Sequence, residues 1–256
     1  MMNHRDIRPA QNIMMSLLKA FDKICKTYSL TYWIDHGTLL GAVRSQGFIP
    51  WDDDLDVTMP REDYEKFLEI AVKELPQSIF LQTKDSDPAT PVHYAKLRDR
   101  NSTYIDAWEE GKEIWYHQGI FIDVFPVNFI SPNDAKKYSQ IMAMAKFFSN
   151  RYVKIDSIAK LFIDKMNGYH SAEHSYIVSG GESMHYVTHV PKETVFPLGT
   201  LFFEGMEVSV PHDSKAYLSS IFGDHYMTPP PKEKQKVHSV HIDTEQKCRY
   251  EKRDDG

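Results

Sequence analysis

Four aspartates crowd into five positions, Asp52-Asp53-Asp54-Leu55-Asp56, just after a glycine-bearing run, His36-Gly37-Thr38-Leu39-Leu40-Gly41-Ala42-Val43-Arg44. Carboxylates this close repel one another, so a fold keeps them together when a positive group lies between them. The chemistry they suit is the grip of a divalent metal that carries the phosphates of a nucleotide. Magnesium matches, since it takes hard oxygen ligands from a few carboxylates and completes its shell with phosphate and water. Manganese is the alternative ion. The competing reading is a solvated acidic turn. Against it stand the apolar alternation of Asp54-Leu55-Asp56-Val57, Trp51 just before the cluster, and the glycine turn upstream.

The elements that must position these groups follow from periodicity. Asp54–Val57 reads as a half-buried strand. Asp54 and Asp56 then share a face with Cα atoms about 6.5 Å apart, and Leu55 and Val57 anchor the opposite face. Asp52 joins that face if the strand begins early enough, whereas Asp53 points away as a structural partner. Thr31–Asp35 reads as a short strand, His36-Gly37-Thr38 as the turn leaving it, and Leu39–Arg44 as a helix. A glycine turn that opens a helix presents backbone N–H groups and the positive dipole end to an anion. Thr38 adds a hydroxyl donor, and Arg44 reaches phosphate from the far end.

Further along, Ile120, Ile122 and Val124 form one apolar face, with Asp123 on the other between Phe121 and Phe125. A lone acid there is costly to bury without a compensating charge, and a shared metal supplies one. The alternative is an edge-strand aspartate facing water. Lys96 and Arg98 share one face of a strand over His93–Arg98, where they serve either phosphates or a surface pairing with Asp99. Trp108, Trp115 and Tyr116 stand beside Asp106, Glu109 and Glu110, a composition that suits a quaternary ammonium held against aromatic faces. Packing of these rings onto the body is the plainer reading. Tyr226, Pro229 and Pro230 are candidate walls of the site, with His238 or His241 nearby; His36 either touches phosphate or braces its turn.

The string HGTLLGAVRSQGFIPWDDDLDVTMPREDYEKF resembles the signature of the LicD family, in the nucleotidyltransferase-fold superfamily alongside fukutin and fukutin-related protein. The segments Tyr94–Asp99, Ile120–Pro126 and Gly223–Pro230 resemble its later motifs, in the expected order. The resemblance implies an α+β fold, a nucleotidyltransferase-like mixed sheet flanked by helices with an additional mostly helical segment. It implies a magnesium-dependent phosphotransferase that moves phosphocholine, or another phospho-alcohol, from a CDP-linked donor such as CDP-choline to a sugar of a surface glycopolymer (teichoic acid, lipopolysaccharide or capsule). Carried over by position, Gly37 and Thr38 match the phosphate-binding turn, Asp54 and Asp56 the metal pair, and Asp123 the third carboxylate. Fukutin-related protein also has a cysteine zinc site; here Cys25 and Cys248 are the only cysteines, so no zinc is expected. A nucleotide-sugar glycosyltransferase and a catalytically silent glycan-binding subunit are the competing functions.

At 256 residues the chain fits one catalytic domain. Its expected parts are a core over about 10–130, a helical insertion over about 131–180, and C-terminal strands, a helix and a Pro-rich loop over about 181–256. A net charge of −6 argues against nucleic acid as a partner. The two distant cysteines suit a reducing compartment, and neither a signal peptide nor a membrane-length apolar run is visible. The expectation is a cytoplasmic protein that a lipid-linked acceptor draws peripherally to the inner face of the membrane. Ile13, Leu17, Phe21, Ile24, Cys25 and Tyr28 predict an amphipathic first helix with Cys25 an inert core thiol. Helices are also predicted after Pro60, across most of 133–164 (Tyr138, Ile141, Met142, Ala145 and Phe148 on one side) and over Asp213–Phe222. Strands are expected at Tyr186–Val190 and within Leu201–Val210.

Overall fold

The structure, a computed structural model, describes residues 7–151, 156–183 and 188–248. In chain order its elements are α1 (Arg8–Tyr28), β1 (Trp33–Ile34), α2 (His36–Ser45), β2 (Asp56–Pro60), α3 (Arg61–Glu74), β3 (Ile79–Gln82), β4 (Ala95–Asp99), β5 (Thr103–Asp106), β6 (Phe121–Ile130), α4 (Ala135–Arg151), α5 (Asp156–Asn167), β7 (Tyr176–Ser179), β8 (His189–Pro191), α6 (Lys192–Val195), β9 (Gly199–Phe203), β10 (Met206–Val210), α7 (Ser214–Phe222) and β11 (Ser239–Asp243). The class is α+β, a mixed sheet flanked by helices, as the resemblance implied.

Period-two alternation in three strands builds the centre. β6 runs parallel to β2 and antiparallel to β4, and its far half pairs antiparallel with β7. In this register Asp56 neighbours Asp123, and Asp123 neighbours Lys96. Cross-strand neighbours point to the same side of a sheet. One face therefore gathers Asp56, Asp123, Lys96 and Arg98. The other gathers Val57, Met59, Ala95, Leu97, Ile122 and Val124, every one fully buried.

Helices α1 and α3 cover that apolar face. α1 presents Met14, Leu17, Leu18, Phe21, Ile24 and Cys25 to it, and Phe21 meets Phe67 of α3 edge-on at 4.8 Å. Removing such a ring costs about 3–5 kcal/mol. α1 stops where Ser29 turns left-handed (φ 54°), which leaves Tyr28, the end of the expected stripe, 42% exposed.

Several boundaries differ from expectation, each for a local reason. β2 begins at Asp56 rather than Asp54, because the ladder with β6 starts where Asp123 N–H donates to the Leu55 carbonyl (2.8 Å). β1 is only two residues long because Asp35 already caps α2, so the expected turn His36-Gly37-Thr38 is the first turn of the helix. The span 199–210 is a hairpin, β9 and β10, reversing at Glu204-Gly205. β3, β5 and β11 are additional strands. So is β7, which lies within the span expected to be a helical insertion and joins the central sheet. The helical part is α4 and α5, which bury Tyr138, Ile141, Met142, Ala145, Ile163 and Met166 in a second cluster with Ile130 of β6 and Val178 of β7. The side chain of Phe148 and the start of the strand expected at Tyr186 lie outside the described residues. Buried Arg61 ties this part to the core: it donates to Asn128 (3.0 Å), Asn167 (3.0 Å) and both oxygens of Glu182 (2.8 Å each).

Candidate active site

The mouth of α2 is built around Asp35. Its Oδ1 accepts from His36 N–H (2.7 Å), and its Oδ2 accepts from the hydroxyls of Thr58 (2.6 Å) and Tyr217 (3.0 Å). Burial alone would raise this carboxyl; the neighbouring His36 and these hydrogen bonds hold it below its ordinary value. The sequence reading passed over Asp35, although an Asp just before an apolar helical run is an N-cap signal.

Around this mouth the acids converge. Asp56 N–H donates to Thr38 Oγ1 (2.9 Å), which fixes the start of β2 against α2. The Asp52 carboxylate seats on Gly37, where a Cβ would stand 2.6 Å from Asp52 Oδ2; only glycine permits that approach. Burial, then the neighbouring carboxylates, Asp54 first among them, push Asp52 and Asp56 well above the usual carboxylate range. Asp56 Oδ1 is buried without a hydrogen-bond partner. An orphaned carboxylate oxygen amid like charges fits a divalent cation. Among the described residues no three acid or imidazole groups form a ready-made metal cage. Magnesium does not need one, since one or two carboxylates with phosphate and water oxygens satisfy it.

Asp123 is held differently. Lys96 Nζ lies 2.5 Å from its Oδ1, and that ammonium stands 3.5 Å from the centre of the Phe121 ring. Burial pushes Asp123 up and pulls Lys96 down, and the contact between them opposes both shifts. Arg98 donates to Gln82 Oε1 (2.5 Å) and to the Gly119 carbonyl (2.7 Å).

Asp53 points away from this cluster, into a structural clamp. It is fully buried and accepts from His238 N–H (2.9 Å), Ser239 N–H (2.8 Å) and the Tyr104 hydroxyl (3.2 Å). The clamp locks the β5–β11 pair against the acids. It also sets His238 Nδ1 at 3.4 Å from Asp53 Oδ1 and 3.6 Å from Asp54 Oδ2. Hydrogen bonding to those two carboxylates pushes the imidazole pKa up to about 11.

These groups border a cavity of about 230 Å³. Asp54, Lys96, Arg98, Asp123 and His238 supply its charged wall, and Tyr94, Tyr104, Trp108, Tyr116 and Phe121 its aromatic one, with Asp106 and Glu109 between. Glu109 accepts from the Tyr116 hydroxyl and from Gln118. The ring set differs from the expected one. Trp115 is 59% exposed and outside the lining, whereas Tyr94, just before β4, and Tyr104 of β5 enter it. Tyr94 was legible, since it precedes Lys96 and Arg98 at the same two-residue spacing.

The other expected site residues lie elsewhere. Gly37, Thr38 and buried Asp56 adjoin Asp52 but do not line the cavity. Arg44, at the far end of α2, donates to the Thr228 carbonyl (3.5 Å) and lies outside the lining. Tyr226 is buried in the main core, also away from the cavity. His36 lies at the α2 mouth with Nδ1 3.4 Å from Asp35 Oδ1, and His241 is an exposed residue of β11. Cys25 is buried, and burial pushes its thiol far up, as expected of an inert core cysteine.

Residues 29–145 match the family model described as LicD/FKTN/FKRP, nucleotidyltransferase domain. The chain is 25% identical over 262 residues to the lipopolysaccharide cholinephosphotransferase LicD of Haemophilus influenzae, covering 91% of this chain and 96% of that protein. A shorter stretch of 57 residues is 46% identical to the uncharacterized protein RT0683 of Rickettsia typhi, covering 22% of this chain and 18% of that protein. A stretch of 77 residues is 31% identical to mannosyltransferase regulator 4 of Saccharomyces cerevisiae, covering 30% of this chain and 6% of that protein.

Proposed function

Because the chain belongs to the LicD/FKTN/FKRP nucleotidyltransferase-domain family, we propose that it transfers a phospho-alcohol, phosphocholine first among the candidates, from a CDP-linked donor to a sugar hydroxyl of a cell-surface glycopolymer, releasing CMP. The observation that carries this reading is the row Asp56, Asp123 and Lys96 across three adjacent strands, beside a cavity with one charged and one aromatic wall. At about 230 Å³ the cavity suits the small alcohol end of such a donor rather than the whole nucleotide. A quaternary ammonium is recognised by aromatic faces with acids nearby, at about 0.5–2 kcal/mol per contact. Tyr94, Tyr104, Trp108 and Tyr116 supply the faces, with Asp106 and Glu109 the acids.

The chain's own residues divide the remaining work. Lys96 and Arg98 orient phosphate oxygens, and His238 adds a third cation at the rim. The acceptor hydroxyl attacks the phosphorus of the phospho-alcohol in line; the bond to CMP breaks, CMP leaves, and Asp123 takes the hydroxyl proton. Asp54 and Asp56, with Asp123 beside them, would hold magnesium, or manganese, which when bound neutralises the diphosphate and acidifies the hydroxyl.

The test is thermal stability with magnesium and, in turn, CDP-choline, CDP-glycerol, CDP-ribitol and a UDP-sugar. A donor at a hundredfold its Kd adds about 2.7 kcal/mol. A magnesium-dependent shift with a CDP-alcohol, absent in Asp54→Asn, supports the proposal. A shift with the UDP-sugar alone, or with none of the four, overturns it.

A further inference from the structure

The two helices that branch from the sheet differ in charge from the rest of the molecule. Ala135–Arg151 and Asp156–Asn167 together carry six lysines and arginines against two aspartates, a net of +4, in a chain whose net charge is −6. Their buried sides meet each other in the cluster around Tyr138, Met142 and Met166. Their outer sides expose Lys136 and Lys137 on α4, and Lys160 and Lys165 on α5. Among these lysines stand two large apolar side chains, Met144 at 53% and Leu161 at 66% exposure. One acid, Asp164, shares this side and lies 3.9 Å from Lys160.

We infer that this outer side of α4 and α5 is a docking surface for an anionic lipid bilayer. Lysines around exposed apolar side chains are the composition by which a helix lies on a charged membrane: the apolar groups enter the headgroup boundary while the ammonium groups pair with lipid phosphates. The charge contrast favours lipid over another acidic occupant. A bilayer attracts the +4 surface and repels the rest, so the contrast also sets orientation. No helix among the described residues is long and apolar enough to cross a membrane, so the contact is one of surface adsorption. The two helices follow β6, which ends at Ile130, about 23 Å along the strand from Asp123, and neither helix lines the cavity, so docking leaves it uncovered.

Cosedimentation of the full chain with vesicles tests this and needs neither donor nor acceptor, so its outcome is independent of the proposed reaction. The protein is expected to sediment with vesicles of about one-third phosphatidylglycerol at low salt, to stay in solution with pure phosphatidylcholine, and to be released as salt rises. The quadruple variant K136E/K137E/K160E/K165E is expected to lose about tenfold or more in partitioning. M144S/L161S should lose partitioning too, with melting temperatures and cavity binding unchanged. Equal binding to both vesicle types, no binding to either, or binding that survives both sets of substitutions overturns the inference. If the quadruple variant fails to fold, K136E/K137E alone reads the same charge dependence.

Discussion

Lys96 and Asp123 face each other across β4 and β6, ammonium against carboxylate at 2.5 Å, both almost wholly removed from water. The pair answers the repulsion between Asp123 and the acids of β2: the sheet supplies from one side the positive charge that Asp54, Asp56 and Asp123 would otherwise lack.

Breaking that pair leaves one buried charge uncompensated, which costs about 3–5 kcal/mol. Lys96→Met should destabilise the fold by this amount, whereas Lys96→Met combined with Asp123→Asn should recover most of it. Denaturant melts of the two single variants and the double variant check this. If the two single losses simply add, the ion pair contributes nothing.

Asp56 presents the opposite case. Burial and its acidic neighbours raise its folded pKa, so its charged form destabilises the fold at neutral pH. Asp56→Asn should therefore abolish transfer yet raise stability in chelator, because it removes the charge that burial and the neighbouring carboxylates disfavour. Magnesium should stabilise the wild type and leave the variant unmoved. Melting curves with and without the ion, alongside CMP release, decide the matter.

The Asp53 clamp predicts a localised effect. Asp53→Ala removes the acceptor for His238 N–H, Ser239 N–H and the Tyr104 hydroxyl, three donors that then lie in or near the interior. A loss of about 2–4 kcal/mol is expected, since each unsatisfied buried donor costs about 1–3 kcal/mol. Hydrogen exchange should quicken first in β11 and β5. Uniform acceleration across the sheet would show that the clamp does not act locally.

His117 gives a pH signature. Burial, with Arg98 and Arg100 nearby, pulls it down to about 3, so the folded chain keeps it neutral. The unfolded chain protonates it near about 6.5. Between those two values the unfolded state holds one proton more, so this stability is present above about pH 6.5 and is lost as pH falls toward 3. His117→Gln should flatten the acid slope by up to about 1.4 kcal/mol per pH unit. Parallel slopes for variant and wild type between pH values of about 6 and 4 would refute this.

Much of the centre was legible because it obeys period two. Alternation puts Asp56 and Asp123 on one face of the sheet, and Lys96 with Arg98 on one face of their own strand, whereas Asp54 lies before β2 and lines the cavity that buried Asp56 does not. Register is the part that alternation does not encode. That Lys96 stands opposite Asp123, or that Asp53 meets Ser239, depends on pairing between segments far apart in the chain. The aromatic wall was legible only in part for the same reason: Trp108 and Tyr116 line the cavity, but Tyr94, just before β4, and Tyr104 of β5 join them from elsewhere in the chain, and Trp115 is 59% exposed outside the lining. β3, β5, β7 and β11 are short, and their stability comes from the partner strand rather than from a strong local pattern.

The β5–β11 clamp also carries a consequence for the life of the chain. Asp53 stands early in the sequence and the backbone that holds it stands near residue 239, so a growing polypeptide exposes its acids long before their clamp exists. Until the segment from His238 onward has left the ribosome, the cavity lacks its rim cation and Asp53 lacks both of its backbone donors. Synthesis itself thus keeps the site incomplete, and a chain cut short before β11 should be folded in much of its core yet inert.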